Sequence, residues 1–296
     1  MSRIQHTLEY ERKTMTHPLS ARHVLVGASV RQYREHLGYG LDDAARMLDC
    51  DRSKISRIET GQRGIRPAEL RTLLHEYGVD APTQDTLVAL IRPGTAESGW
   101  RTYRAVLGNG YLDFAAAEGV ATEASVYAPL LVPQLLQTVP YTRALVAADP
   151  TVPGDHEELV VQAIRARQQA WFLAQRPSLT VILGEAALHQ RVGGLQVLRE
   201  QLSHIAALQA EYETITIRIL PFVLGAHAAV STGGFSLLHF SAVPALSLVH
   251  VDGPGGGSCL DAPAASSIYR TIVTQLSLFA LDAEQSIQKL HQLARH

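Results

Sequence analysis

The spacing of apolar residues changes about one third of the way along the chain, and this change restricts which folds the chain can adopt. Between His23 and Leu90, apolar residues recur at helical spacing in short runs separated by Gly and Pro, without strand-like alternation. After Trp100, short apolar runs typical of strands lie between longer helical stretches. The sequence therefore predicts a multidomain protein, with an all-α N-terminal bundle followed by an α+β domain.

The length of the chain permits this division. A chain of 296 residues, 46% of them hydrophobic, is long enough for about two domains with separate cores. We expect a flexible arm over residues 1–20, which lack apolar periodicity, a helical domain over residues 21–92 and an α+β domain over residues 93–296. Pro93 disfavours a helical conformation at Arg92, which places the linker here.

Several protein classes are disfavoured by composition. A membrane-spanning helix needs about 18 consecutive apolar residues, and the richest apolar stretch, residues 127–136, is shorter and broken by Pro129 and Pro133. The polar first twenty residues do not resemble a secretory signal. The two cysteines, Cys50 and Cys259, lie far apart and lack zinc-ligand spacing. We therefore expect a cytoplasmic protein without a disulfide framework or a zinc finger.

The second part of the chain is predicted to contain a mixed sheet flanked by helices. Its strands are expected at 179–183, 214–219, 235–240 and 246–251, the last two forming a hairpin through a turn at Pro244. A helix beginning near Leu195 separates the first two strands. Long helices are expected before the sheet, over 153–174, and after it, over 263–294. Asp282 and Gln285 form a capping pair that restarts the last helix.

A helix-turn-helix arrangement is predicted over residues 30–74, preceded by the start of its first helix. The first helix, His23–Leu37, places Val26, Val30, Tyr33 and Leu37 at spacings of four, three and four, so that they face the core. The second helix is short and runs over 41–48. A tight turn follows, and Asp51 is a suitable N-cap for a third helix.

The third helix has one apolar face and one polar face. Ile55 and Ile58 are three residues apart and are expected to be buried, so the opposite face presents arginine and serine side chains. The planar fork of arginine matches the O6 and N7 acceptors of guanine in the major groove of DNA. Gly61 ends the helix, and the arginines that follow it are placed to contact phosphates. The predicted DNA-binding residues are Arg52, Ser53, Lys54, Ser56, Arg57, Arg63 and Arg66.

The overall charge runs against this prediction, because the formal net charge is -2 and DNA-binding proteins usually have a basic surplus. The cations are, however, concentrated in one segment. Residues 52–66 contain five cations and one carboxylate, Glu59. A local patch matters more for docking than the total charge does.

Two parts of the sequence resemble known families. Residues 55–61, Ile-Ser-Arg-Ile-Glu-Thr-Gly, resemble the recognition-helix signature of Xre/Cro-type regulators with the lambda-repressor-like fold, and residues 27–35 resemble their first helix. Residues 127–138, 219–227 and 249–253 resemble a C-terminal domain of actinobacterial regulators described as Scr-type antitoxin-like.

The resemblance implies a transcriptional regulator that binds double-stranded DNA and a small partner protein, often encoded nearby. We expect a homodimer that places two third helices in successive major grooves of a palindromic operator, about 34 Å apart. One feature departs from the family, whose second helix usually begins with a Ser-Gln pair. Here Gly40 and Leu41 occupy those positions, and Asp42 and Asp43 follow, which puts the usual helix-two contact with DNA in doubt.

Two alternatives remain open for the second domain. It could bind a small-molecule effector, or it could be an enzyme with an accessory DNA-binding head, in which Glu185 or His227 would act. We predict no catalytic residues, no cofactor and no metal site, because His227, His239 and His250 lack ligand spacing. Candidate residues for a ligand or partner are Trp100, Tyr103, Pro133, Gln134, Gln137 and His227.

Overall fold

A computed structural model describes residues 20–92, 101–103, 106–173, 177–243, 246–253, 257–260 and 263–295. Contacts within the chain divide it into two compact units, with the division between Arg92 and Pro93. The predicted arm, apart from Ser20, and the predicted linker from Pro93 onward lie outside the described residues, as does Trp100. The two units are described separately below.

Among its described residues, 20–92, the N-terminal unit contains five helices. Pro67 occupies the first turn of the fourth helix, and the side chains of Asp51 and Asp80 cap the third and the fifth. Gly61, with φ of +67°, follows the third helix in the left-handed conformation that glycine adopts most easily. The helices are α1 (Ala21–His36), α2 (Leu41–Met47), α3 (Arg52–Glu59), α4 (Pro67–Glu76) and α5 (Ala81–Ile91).

The inner face of α1 differs in part from the prediction. Val26 and Val30 are fully buried, as expected. Tyr33 is only half-buried and Leu37 is 42% exposed, because α1 ends at His36 and Leu37 lies at its C-cap. Arg34 is buried at the C-terminal end of this face instead. A charged side chain thus takes a core position, and its partner is described below.

The helices α1 and α3 approach each other very closely at Gly27. A Cβ atom at this position would lie 2.2 Å from the carbonyl oxygen of Ile58. Since backbone atoms cannot move aside cheaply, only glycine fits at this crossing. Gly27 therefore allows the backbones of α1 and α3 to pack directly against each other.

The C-terminal unit contains a six-stranded sheet and six helices among its described residues. It also contains short 3₁₀ turns, of which Gln134–Leu136 and Phe222–Leu224 matter below. The helices are α6 (Asn109–Glu118), α7 (Val139–Ala148), α8 (Glu157–Leu173), α9 (Leu195–Glu211), α10 (Pro263–Phe279) and α11 (Ala283–Arg295). The strands are β1 (Glu123–Ala128), β2 (Ser178–Gly184), β3 (Ile215–Leu220), β4 (Phe235–His239), β5 (Ser247–Val251) and β6 (Ser258–Leu260).

The sheet is mixed, which confirms the predicted fold class. Its strand order is β3-β2-β1-β4-β5-β6. The strands β1, β2 and β3 are parallel and are joined by helical crossovers, whereas β4, β5 and β6 pair antiparallel. The carboxyl ends of β1, β2 and β3 and the start of β4 therefore meet at one edge of the sheet, which we call the carboxyl edge.

The outer side of β3 is covered by polar side chains of two helices. The amide of Ile217 donates to Gln209 Oε1 at 2.6 Å, and the amide of Ile219 donates to Ser286 Oγ at 3.0 Å. The amide of Gln285 donates to Asp282 Oδ1 at 2.8 Å, which confirms the predicted cap of α11. The bonds to Gln209 and Ser286 satisfy backbone amides of β3 that an open sheet edge would leave free to pair with another chain.

One face of the sheet packs against α10. Tyr127, Ile182 and Phe235 contribute from the strands, and Ile272 and Leu276 contribute from the helix to the same buried cluster. The strand β1 was not predicted, because its six residues mix Glu, Ala and Ser with only two large apolar side chains. Its position at the centre of the sheet is fixed by its neighbours rather than by its own sequence.

Candidate nucleic-acid interface

The turn between α2 and α3 is tight and is closed by local hydrogen bonds. Asp49 has φ of +46°, and the amide of Cys50 donates to the carbonyl oxygen of Ala45 at 3.0 Å. Asp51 then accepts a hydrogen bond from the amide of Ser53 at 2.7 Å, as an N-cap does. These contacts fix where α3 begins relative to α2.

The inner face of α3 is held by apolar packing and by one buried ion pair. Ile55 and Ile58 are fully buried, as predicted. Glu59 is also buried, and its two carboxylate oxygens accept hydrogen bonds from Arg34 Nε at 2.6 Å and from Arg34 Nη2 at 2.8 Å. Arg34 Nη1 donates to the carbonyl oxygen of Tyr39 at 2.6 Å. Arg34 thus joins α1, the loop before α2 and the end of α3.

The electrostatics of this pair favour the charged form of Arg34. The hydrogen bond to Glu59 raises the pKa of Arg34, and burial only partly opposes this effect. Tyr77 is buried in the same region, and burial raises its pKa to about 12. Because the guanidinium group and the carboxylate are both removed from water, the loss of either partner would leave a buried charge unpaired.

The outer face of α3 carries the side chains that the sequence predicted for it. Arg52, Ser53 and Arg57 are exposed, and Ser56 is half-buried. Arg57 lies along the helix, since its Nε donates to the carbonyl oxygen of Ser53 at 3.1 Å and its Nη2 donates to Ser53 Oγ at 3.3 Å. This face therefore presents two guanidinium groups beside hydroxyl groups.

The remaining predicted cations lie in two different environments. Arg63 and Arg66 are exposed after the end of α3. Lys54, in contrast, is largely buried between α3 and α4, where its ammonium group lies 2.7 Å from Glu69 Oε1. This hydrogen bond lowers the pKa of Glu69. Lys54 thus joins α3 to α4 through Glu69 in this structure, although it belongs to the basic segment of the sequence.

Asp42 and Asp43, which follow the positions where the family usually has a Ser-Gln pair, both have partners within the N-terminal unit. Asp43 Oδ2 accepts from the amide of Gly40 at 2.6 Å, and Asp43 also pairs with Arg46. Asp42 Oδ2 lies 3.8 Å from Arg52 Nη1. Asp43 therefore supplies the capping bond from the third helical position back to the N-cap amide, whereas Gly40 has no side chain that could accept from the first turn as a serine does. Asp42 faces the first arginine of α3.

Three predicted ligand residues of the C-terminal unit stabilise an irregular segment after β1. Gln137 is buried; its Nε2 donates to the carbonyl oxygen of Val132 at 2.7 Å and its Oε1 accepts from Thr142 Oγ1 at 3.0 Å. Gln134 Oε1 accepts from Arg167 Nη1 at 2.9 Å, and Pro133 precedes the 3₁₀ turn. The side chains of Gln134 and Gln137 are thus used within the fold.

The other two predicted ligand residues lie in separate places. Tyr103 packs beside Ala115 and Ala163, which belong to a small cluster between α6 and α8. His227 lies near the carboxyl edge, where its ring meets Tyr127 edge-on at 6.0 Å between centroids. Among the residues that the structure describes, no group of three or more His, Cys, Asp or Glu side chains could hold a metal ion.

Each of the two units matches one family model. Residues 111–292 match a family described as a domain of unknown function, DUF5753. The chain belongs to this family. Residues 25–87 match a helix-turn-helix domain, a range that includes α2, α3 and α4 entirely, and this match supports a DNA-binding regulator. Searches of curated proteins and of solved structures gave no significant match.

The DUF5753 domain has its own buried ion pair, which the sequence analysis did not predict. Arg167 on α8 donates to both carboxylate oxygens of Glu118 at 2.7 Å and lies over the rings of Tyr111 and Phe114. Burial opposes the charge of Arg167, but Glu118 and Tyr111 outweigh this effect and raise its pKa. No helix described in either unit is long and apolar enough to cross a membrane.

The residues that sequence reasoning missed are those that act through distant partners. Arg34 and Glu59 are 25 residues apart, and Arg167 and Glu118 are 49 apart. From the sequence alone, Glu59 and Glu118 would be expected to be exposed, as most glutamates are. The signal available for Arg34 is that it follows Val30 by four residues and so lies on the same side of α1, although the spacing of apolar residues assigned Tyr33 to the core instead.

We predict that Arg34→Met will destabilise the N-terminal unit by about 3–5 kcal/mol, because Glu59 is left buried without its cation. The double variant Arg34→Met/Glu59→Met should lose much less than the sum of the two single changes. Amide hydrogen exchange of α1 and α3 in the full chain measures these differences.

Arg31→Met is the matched control, since Arg31 is exposed and its pair with Glu35 lies at the surface. This control should leave exchange in α3 unchanged. Additive effects of the two single changes would show that the pair does not hold α3.

Proposed function

We propose that the chain is a sequence-specific transcriptional regulator of the Xre type, which binds a palindromic operator as a homodimer. The observation that carries this proposal is the outer face of α3, where Arg52, Ser53 and Arg57 are exposed on a helix whose inner face is fixed. A helix in this setting can enter the major groove while its neighbours contact the backbone.

Each residue of the interface has a different part in this proposal. Arg57 and Arg52 read base edges, because a guanidinium fork can donate two hydrogen bonds to guanine. Arg63 and Arg66 follow the helix and contact phosphates, which position the protein without selecting a sequence. Lys54 contributes only to the local positive potential, since its ammonium group is bound to Glu69.

The balance of charge supports selective rather than general DNA binding. Asp42 lies beside Arg52, and the whole chain has a net charge of -2. Non-specific affinity rises with the number of phosphates that cations neutralise. Few cations are available here, so affinity for unrelated sequences should be low and contacts to bases should account for most discrimination.

We predict that Arg57→Ala will remove about 1–3 kcal/mol of discrimination between the operator and unrelated DNA. Arg63→Ala should weaken binding to all sequences alike and reduce the salt slope by about one. Binding of the full chain to its own promoter region, titrated at several salt concentrations, measures both effects.

Arg71→Ala provides the control, because Arg71 lies on α4 and pairs with Asp85 of α5. It should change neither specificity nor salt slope. If Arg57→Ala and Arg63→Ala also change neither, α3 does not read DNA.

The DUF5753 domain is proposed to bind a small protein partner. Large apolar side chains are exposed at the carboxyl edge, following β1 and β3 and preceding β4. They are Leu130, Leu131, Phe222, Val223 and Val230. An open apolar surface of this kind is typical of protein contacts, and it favours a protein partner over a small-molecule effector. An enzymatic role draws no support from Glu185, whose carboxylate is bound to Lys289 and to the amide of Phe222.

We predict that Val223→Asp will abolish co-purification of a small protein from the native host. Val223 is 91% exposed, so the change should not affect folding. Leu195→Asp, on α9, is the control and should retain the partner. An unchanged set of captured proteins with Val223→Asp, together with a thermal shift caused by a metabolite extract, would favour the small-molecule alternative instead.

A further inference from the structure

The two aspartates in the first turn of α2 have different neighbours. Asp43 Oδ2 accepts from the amide of Gly40 at 2.6 Å, and the Asp43 carboxylate also pairs with Arg46. The Asp42 carboxylate approaches the next helix instead, where its Oδ2 lies 3.8 Å from Arg52 Nη1. The capping bond of α2 therefore does not account for the place of Asp42.

The pair between Asp42 and Arg52 contributes little to stability. The two side chains are 71% and 63% exposed, so water and salt screen their attraction. Their proximity is nevertheless fixed by the backbone. The turn between α2 and α3 is closed by the bond from the Cys50 amide to the carbonyl oxygen of Ala45. Asp51 then caps α3 one residue before Arg52, so a carboxylate of α2 is held beside the first arginine of α3.

The two arginines on the outer face of α3 differ in their surroundings. Hydrogen bonds from Ser53 lower the pKa of Asp51, and the charges of Arg57 and Arg52 lower it further, so both arginines lie near this carboxylate. Asp42 adds a second carboxylate at Arg52. The guanidinium group of Arg57 instead donates to the carbonyl oxygen and the hydroxyl group of Ser53. Arg52 is therefore the arginine whose local charge depends on α2.

A carboxylate beside a guanidinium group changes which groups of DNA that guanidinium prefers. Phosphates are anions, so Asp42 repels each phosphate that approaches Arg52. The O6 and N7 acceptors of guanine belong to a neutral base and accept from a guanidinium fork without this repulsion. The donors of Arg52 stay available, because its distance of 3.8 Å from Asp42 is longer than a hydrogen bond. Arg52 is therefore suited to a base edge and poorly suited to a phosphate.

We propose that Asp42 is a specificity-determining residue, which acts through Arg52 by keeping this arginine away from phosphates and available to guanine. The inference rests on the proposed function, because it requires α3 to enter the major groove. It adds that one guanine in each half-site is selected by two residues from different helices. It also gives a function to an acidic side chain beside the outer face of α3, where a protein that bound phosphates alone would gain nothing from it.

Binding of the full chain to a selected operator, to operators with each base pair changed in turn and to unrelated DNA tests this role. Asp42→Asn should raise the affinity for unrelated DNA about fivefold at low salt, because an anion beside Arg52 is removed. At one position of each half-site, the preference for guanine should fall about threefold or more, because Arg52 can then bind a phosphate instead. The preferences at the other positions should not change.

Asp85→Asn is the matched control, because Asp85 is an exposed aspartate of α5 that pairs with Arg71 at 2.7 Å. It changes the net charge of the chain by the same amount and should leave every base preference as in the wild type. The double variant Asp42→Asn/Arg52→Ala shows whether Asp42 acts through Arg52. Its preference at the affected position should equal that of Arg52→Ala alone, since the side chain that Asp42 directs is then absent.

The outcomes distinguish this role from the proposed function. If the wild-type chain selects a motif that Arg57→Ala relaxes, but Asp42→Asn matches Asp85→Asn in every base preference, the role of Asp42 is overturned and the DNA-reading function stands. Additive effects of Asp42→Asn and Arg52→Ala at one position would also overturn it, because Asp42 would then not act through Arg52. If the wild-type chain selects no motif, the DNA-reading function fails, and the role of Asp42 fails with it.

Discussion

The N-terminal unit depends on the buried pair between Arg34 and Glu59. The guanidinium group reaches the end of α3 from α1 and also binds the carbonyl oxygen of Tyr39, so three segments share one side chain. Such a pair adds little net stability, because both charges lose their hydration. Its effect is on geometry, since a shift of α3 by a fraction of a helical turn would break two short hydrogen bonds at once.

The rest of the interface follows from this constraint. Gly27 lets α1 and α3 touch at the backbone, and Asp51 fixes the start of α3. With its inner side fixed at both ends, α3 is held in place independently of the contacts that Arg57 makes with Ser53 and Arg52 makes with Asp42. In the DUF5753 domain, Arg167 and Glu118 form a similar buried pair between α6 and α8. In each unit, a long-range ion pair thus joins two helices.

The sequence predicted features that depend on neighbouring residues. The spacing of Ile55 and Ile58 gave the buried face of α3, and the chemistry of Asp51 gave its start. It did not reveal that Lys54 faces Glu69, or that Gln137 satisfies the backbone after β1. These contacts depend on how helices meet, and hydrophobic periodicity carries no information about which polar side chains will then be adjacent.

The central claim is that α3 reads DNA sequence. Repeated selection of binding sites from a random pool of double-stranded DNA by the full chain tests it most directly. The account predicts enrichment of one motif with guanines in each half-site and a two-fold axis between the halves, about one helical turn apart. A folded chain that enriches no motif, or that retains all sequences equally at low salt, would contradict it.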